Sequence, residues 1–157
     1  AICVGLPNGM SYCFDAETCQ LVYVWTGGFL NMAPHWKSQS GSPTPAVGAS
    51  FYEPSAQDGF RIGDKKPSFR GYELLNGIPQ FEFSFGDTPV AVLIDATSEQ
   101  LQLSYTIGKR SEAIHITGPS AKSTFSMTSS TGKWQGNHLT ISDTTKQKLV
   151  LTLKKEK

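Results

Sequence analysis

The residues with the most evident chemistry lie in the stretch VYVWTGGFLNMAPHWKSQSGSP, residues 22–43, which is rich in aromatic side chains and has no clear period. Exposed tryptophans suit sugar rings and other flat ligands, because a rigid indole presents a large face at little entropic cost. The candidate ligand-binding residues are Trp25, Phe29, His35, Trp36 and Tyr52. The same side chains would equally plug the end of a core or contact a neighbouring domain, and the sequence leaves both interpretations open.

Metal and haem chemistry has weak support in this sequence. Met32 and His35 belong to residue types that serve as axial ligands of haem and copper, but a blue-copper site also needs a cysteine and a second histidine nearby. The chain has no C-x-x-C pair and no C-x-x-C-H run. We therefore predict no metal site and no cofactor.

Catalytic signatures are also missing from the sequence. There is no G-x-S-x-G nucleophile elbow, and the glycines of TGGF and GFRIG lack the strand–loop–helix context of a phosphate loop. A glycosidase needs two carboxylates, and no spacing selects a pair from Asp15, Glu53, Asp58, Asp64, Glu73 and Asp95. We predict no catalytic residues, while a carbohydrate-active enzyme remains an alternative.

The three cysteines, Cys3, Cys13 and Cys19, all lie in the first 19 residues. Five residues separate Cys13 from Cys19, so a hairpin loop between them would bring their Cβ atoms within disulfide range. We expect a Cys13–Cys19 bridge formed in an oxidising compartment, with Cys3 buried or paired across chains. Two reduced, buried thiols are the alternative.

Composition favours an extracytoplasmic β protein of one domain. The 157 residues are 17% charged, below the usual quarter, with a net charge of +1 that argues against a nucleic-acid surface. The basic run 153–157 is most simply a solvated tail. No apolar run approaches the roughly 20 residues of a transmembrane helix. Both signal-peptide cleavage and excision from a longer chain would produce a start at Ala1.

The elements that must position these residues are strands. Nearly every segment alternates apolar and polar residues, and turn residues recur about every ten positions, as in all-β sandwiches. The fold class is an antiparallel β-sandwich of about 10–12 strands in one domain, 1–157, with an irregular aromatic N-terminal third and regular strands after about residue 68. Only a short helix around Asp15–Thr18 is allowed, and 37–48 is a surface loop.

The strongest local signal is SFRGYELLNGIPQFEFSF, residues 68–85. Asn76-Gly77 predicts a type I′ hairpin turn, and alternation after it puts Phe81, Phe83 and Phe85 on one face. Pro79 is expected at a strand start or an edge.

Four further polar residues fall in strand-like segments. His115 alternates with Ile114 and Ile116 and is expected to be half-exposed, and His138 begins a strand. Arg61 and Arg70 each follow a phenylalanine, and we expect them to face solvent; stacking on a ring or pairing with Asp64 or Glu73 is the alternative.

The segments GLPNGMSYCFDAETCQLVYVWTGGFLNMAPHW, FRIGD and FRGYELLNGIPQFEFSF together resemble a β-rich accessory region of bacterial secreted haem proteins. In those proteins the region is linked to a cytochrome c domain or a sugar-dehydrogenase-like propeller. The resemblance covers about residues 5–90 and implies a module that serves a redox or carbohydrate-active partner outside the cytoplasm. It transfers no catalytic residues.

The function that these observations favour is a non-enzymatic, extracytoplasmic (periplasmic or secreted) binding or accessory module that contacts a saccharide or a partner domain. The alternatives are a carbohydrate-active enzyme, or a subunit of one, and a purely structural domain of a larger secreted protein.

Overall fold

A computed structural model describes residues 2–5, 10–26, 51–52, 59–97, 100–120 and 123–155. For a few strand residues in these ranges, Trp25 and Tyr52 among them, the description covers the backbone alone.

The described residues form fourteen strands and no helix. They are β1 (Ile2–Gly5), β2 (Met10–Asp15), β3 (Gln20–Thr26), β4 (Phe51–Tyr52), β5 (Phe60–Ile62), β6 (Pro67–Leu75), β7 (Ile78–Phe85), β8 (Thr88–Thr97), β9 (Gln100–Ile107), β10 (Ile114–Thr117), β11 (Phe125–Ser129), β12 (Lys133–Gln135), β13 (His138–Ile141) and β14 (Gln147–Lys155). The all-β class is confirmed. The strand count exceeds the predicted 10–12, because alternation did not reveal the short strands β1 and β5 and did not separate β12 from β13.

The strands form three antiparallel sheets. Sheet I has the order β1-β2-β3-β4, sheet II the order β12-β13-β10-β5, and sheet III the order β11-β14-β9-β8-β7-β6. The run from β6 to β9 is a meander of consecutive neighbours, as the regular alternation after residue 68 predicts.

Aromatic stacking shows how the sheets pack as a sandwich. Phe14 of sheet I stacks on Phe81 of sheet III, with ring centroids 4.3 Å apart. Phe60 of sheet II stacks on Tyr105 of sheet III at 4.9 Å. Sheets I and II therefore both cover the inner face of sheet III, on which Phe81 and its two alternating neighbours, Phe83 and Phe85, are buried as predicted.

The predicted hairpin between β6 and β7 is confirmed. Asn76 and Gly77 both have positive φ, 55° and 81°, as a type I′ turn requires. Pro79 is the second residue of β7, which agrees with the expected strand start. The short helix considered around Asp15–Thr18 is wrong, because Asp15 Oδ1 accepts a hydrogen bond from the Glu17 amide (2.9 Å) and closes a turn there.

The predicted Cys13–Cys19 bridge is wrong, because Cys13 is bonded to Cys3. The two residues lie directly opposite each other on β1 and β2, with Cα atoms 4.0 Å apart. Cys19 follows the β2–β3 turn with φ 53° and packs in the hydrophobic core as a buried thiol. Strand pairing, rather than nearness in sequence, decides which cysteines meet.

A buried arginine joins two loops at one end of the sandwich. The Arg110 guanidinium donates hydrogen bonds to the Gly108 and Thr145 carbonyls, both at 3.3 Å, to the Gln147 amide oxygen at 2.8 Å and to the Asp143 carbonyl. The link fixes the connection between β9 and β10 against the connection between β13 and β14.

Candidate functional site

The predicted aromatic cluster lies largely outside the described residues. Phe29, His35 and Trp36 fall outside them altogether. Trp25 and Tyr52 belong by their backbones to the paired strands β3 and β4, where Trp25 is opposite Phe51 and Tyr52 is opposite Val24. The binding role of this cluster stays a prediction, and the described residues form two other candidate surfaces.

The first surface is a groove at the open side of the sandwich, between β11 of sheet III and β12 of sheet II. We call it the edge groove, and its volume is about 580 Å³. Its lining includes Ser120, Ser123, Ser126, Thr128, Trp134 and Asn137. None of its described lining residues carries a charge, so the groove suits a neutral, polar ligand.

Strand register places the indole of Trp134 in this groove. Phe60, Ile116, Leu139 and Trp134 lie side by side across the four strands of sheet II, on the face that packs on sheet III. Because β12 is the outermost strand, the last member of this row reaches beyond the core and is 36% exposed. Its indole N–H donates to Ser129 Oγ at 3.1 Å, which fixes the ring between the two edge strands.

The chain before β12 is shaped by Gly132. Its φ is +92°, and a Cβ at this position would lie 2.8 Å from Leu139 Cδ1 and 3.0 Å from the Thr140 carbonyl oxygen. A side chain would therefore displace β12 from its neighbour, and the glycine lets Trp134 approach β13.

Hydrogen bonds hold together the polar end of the edge groove. Asn137 Nδ2 donates to the Pro119 carbonyl and the Gly118 amide donates to the Asn137 carbonyl, each at 2.9 Å. Ser120 Oγ and Ser123 Oγ lie 3.4 Å apart. One wall thus offers a rigid aromatic face and the other a set of hydroxyl and amide groups, a combination that recognises the apolar faces and hydroxyls of sugars.

The second surface is the outer face of sheet II, which points away from the core. We call it the basic face, and its residues are Arg61, His115, Thr117, Lys133, Gln135, His138 and Thr140. The inner face of the same strands is apolar and buried at Ile114, Ile116, Leu139 and Ile141. Alternation therefore explains why all these polar side chains share one face.

The two histidines of the basic face contact each other. His115 Nδ1 and His138 Nε2 are 3.2 Å apart, and which ring donates depends on the tautomers. Partial burial lowers the pKa of His115, and the charges of Arg61 and His138 lower it further. His115 is thus neutral at pH 7, half-buried, and opposite Arg61 across β5 and β10.

The predictions for the isolated polar residues are borne out. His115 is half-exposed between two buried isoleucines, and His138 is the first residue of β13. Arg61 and Arg70 are both exposed, and Arg70 Nε donates to Ser84 Oγ at 3.2 Å.

Potential nucleophiles in the described residues are poorly placed for chemistry. Burial and the nearby Asp15 raise the pKa of the Cys19 thiol to about 12, so it is not a thiolate at neutral pH. Burial also raises the pKa of Tyr12, whose hydroxyl lies in the core. No three side chains among His, Cys, Asp and Glu gather as a metal ion would require in the part of the chain that the structure describes.

The sequence patterns did not single out Trp134 as a candidate binding residue. The Gly136-Asn137 dipeptide that follows Trp134 is a turn signal, and it predicts the hairpin that β12 and β13 form. This hairpin lies at the open edge of sheet II. What the sequence does not contain is the position of β11, from a different sheet, which supplies the opposite wall and Ser129.

A comparison with protein families finds one match, over residues 12–90, to a model described as Domain of unknown function (DUF6797). Neither curated proteins nor solved structures gave a match. The matched half runs from β2 into β8 and includes Arg61, whereas Trp134, His115 and His138 lie beyond it. A disulfide-bonded β domain is compatible with an extracytoplasmic location, and no helix of membrane-spanning length and hydropathy occurs among the described residues.

Proposed function

We propose that this chain, which belongs to the family described as a domain of unknown function (DUF6797), is an extracytoplasmic binding module that holds a neutral saccharide in the edge groove. The observation that carries the proposal is the fixed, partly exposed Trp134 indole facing a wall of hydroxyl and amide groups.

The energetics of the groove suit a short saccharide. A sugar ring on an indole face buries apolar surface that contributes about 25 cal/mol per Å², and the hydrogen bond to Ser129 means that little side-chain entropy remains to be lost. The volume of about 580 Å³ lies within the usual range for small-ligand sites and is sufficient for one or two sugar rings.

The location outside the cytoplasm is supported by the Cys3–Cys13 bridge, because disulfides persist mainly in oxidising compartments. The resemblance over residues 5–90 adds two points to the proposal. They are that the protein is secreted by a bacterium, and that it acts as an accessory to a haem-containing or sugar-oxidising partner.

The test is a calorimetric titration with a panel of neutral oligosaccharides. Trp134→Ala is expected to weaken binding at least tenfold, the effect of losing a stacking contact of about 1.4 kcal/mol or more, and Trp134→Phe is expected to retain part of the affinity. Gln102→Ala is the control, because this half-exposed glutamine of β9 lies on the outer face of sheet III, in neither candidate surface.

Unchanged affinity in Trp134→Ala, with the fold intact by circular dichroism, would overturn the proposal. Slow hydrolysis of a bound saccharide, ended by one carboxylate-to-amide change, would support the enzymatic alternative instead.

A second candidate function, docking of a partner domain, is favoured by the exposed edge strand β6. Tyr72 and Leu74 are 56% and 61% exposed there, unusual for large apolar side chains. β6 is the last strand of sheet III, so its outer backbone groups could pair with a strand of another domain.

Surface plasmon resonance against a purified bacterial cytochrome c domain tests this docking function. Leu74→Lys is expected to abolish binding, and Glu73→Lys is the neighbouring control. Equal responses in both variants would reject the docking function.

A further inference from the structure

We propose that the basic face of sheet II binds an anionic polysaccharide, one that carries carboxylate or sulfate groups. The proposal rests on the proposed function for the class of ligand, and it assigns a second binding surface on the opposite side of the sheet from the edge groove.

The register of sheet II arranges the basic side chains in a row. Arg61, His115, Thr140 and Lys133 are successive partners across β5, β10, β13 and β12. A second row beside it holds Thr117, His138 and Gln135. Three interstrand spacings of about 4.8 Å put the Arg61 and Lys133 backbones about 14 Å apart. Two exposed cationic side chains thus flank a histidine pair on one face of the sheet.

The charge on this face is of one sign. The four strands of sheet II contain no aspartate and no glutamate, although the chain has 13 such residues and a net charge of only +1. The acids nearest in sequence to these strands are Asp58, which lies outside the described residues, and Asp64, Glu112 and Asp143 in the flanking connections. Glu112 is 3.9 Å from Lys65 Nζ, and the pocket that Arg61 borders contains Glu17 and Asp64 together with Lys65 and Lys66. The basic character of the face is therefore local and complementary to an anion.

The side chains between the charges indicate a glycan rather than a protein. Centres of protein–protein interfaces are enriched in aromatic residues, methionine and arginine, and of these types the basic face has only Arg61 among its described residues. It offers two threonine hydroxyls and the Gln135 amide, which suit the hydroxyl groups of a sugar.

The histidine pair makes the binding sensitive to pH. His115 faces Arg61 on β5 and both His138 and Thr140 on β13. Lys133 lies farther along the same row, on β12. The neighbours of His115 on its own strand are isoleucines that point inward. Partial burial and the cationic neighbours disfavour a proton on His115, and a bound anion would favour it. By linkage, anion binding takes up protons, so affinity rises as the pH falls from about 7 to about 5.

The experiment measures binding of dextran sulfate, polygalacturonate and neutral dextran at low ionic strength by calorimetry. The double variant Arg61→Gln/Lys133→Gln is compared with Lys109→Gln/Lys148→Gln, which removes the same charge from exposed positions outside the basic face. Because exposed ion pairs are individually weak, the first variant is expected to bind only about tenfold more weakly, and the control to bind nearly as the wild type. Binding is also expected to weaken with added salt.

His115→Gln separates the site from a general charge effect, because it is expected to remove most of the gain in affinity between pH 7 and pH 5. Equal losses in the two double variants, binding of neutral dextran by a Trp134→Ala variant as tight as its binding of dextran sulfate, or tighter binding of polyglutamate in the same titration would overturn the proposal. Preference for dextran sulfate or for polygalacturonate distinguishes sulfate from carboxylate recognition. Retained binding of neutral oligosaccharides through Trp134 would show that only the basic face, and not the proposed function, had failed.

Discussion

At the scale of single residues, Arg110 shows how much one buried cation contributes to this fold. Its guanidinium is held by three backbone carbonyls and the Gln147 side chain in two different connections. We expect Arg110→Lys to lower the free energy of unfolding by about 2–4 kcal/mol, because an ammonium cannot satisfy the same acceptors. Urea unfolding measures the loss. Lys109→Ala, the exposed neighbour, is the control, and a similar loss in both variants would contradict the interpretation.

His115 predicts a pH dependence of stability. Its pKa is lowered in the folded chain, so over the window from about 6.5 down to the folded pKa the unfolded chain binds more protons. The folded state therefore loses stability as the pH falls through this window, and the loss ends once both states are protonated. Urea unfolding at pH 7 and pH 5 should show a smaller decrease for His115→Gln than for the wild type, and the same decrease in both would refute the assignment.

At the scale of elements, the Cys3–Cys13 bridge ties the edge strand β1 to β2. The bridge closes a short loop with a sequence separation of 10, for which the chain-entropy relation gives about 3 kcal/mol of stabilisation. We expect the paired change Cys3→Ser/Cys13→Ser to cost about this amount in urea unfolding. Cys19→Ala tests the other assignment, because it should leave the bridge intact in a non-reducing peptide map; a Cys13–Cys19 peptide in the wild type would contradict the pairing.

Gly132 controls the strand that contributes to both candidate surfaces. Its positive φ and its close approach to Leu139 and Thr140 exclude a side chain without displacement of β12. We expect Gly132→Ala to lower the unfolding free energy by about 1–3 kcal/mol and to weaken binding at the edge groove and at the basic face together. Gly77→Ala, at a positive φ with open space around it in the β6–β7 turn, is the control and should affect stability alone. A change confined to one surface in Gly132→Ala would argue against a shared strand.

At the scale of the whole molecule, the sequence predicted local features of the fold better than it predicted contacts between separate segments. Alternation predicted the meander from β6 to β9, the buried rings of β7 and the hairpin at Asn76-Gly77. The disulfide and the edge groove were not predicted, because each joins elements whose relative register is set by packing. Cys19 is nearer to Cys13 in sequence than its true partner, Cys3, is. The edge groove needs β11 to join sheet III while β12, only three residues later, joins sheet II, and alternation does not say which sheet a strand joins.

The alternation of β12 has a consequence for polymers. Trp134 points into the edge groove, while Lys133 and Gln135 on either side of it belong to the basic face. A glycan long enough to pass around this single strand would engage both surfaces at once, and the second contact would then form at a high effective concentration. Such bivalent binding gains about 10²–10⁴ in avidity over either surface alone, so chain length itself would become the selected property of the ligand.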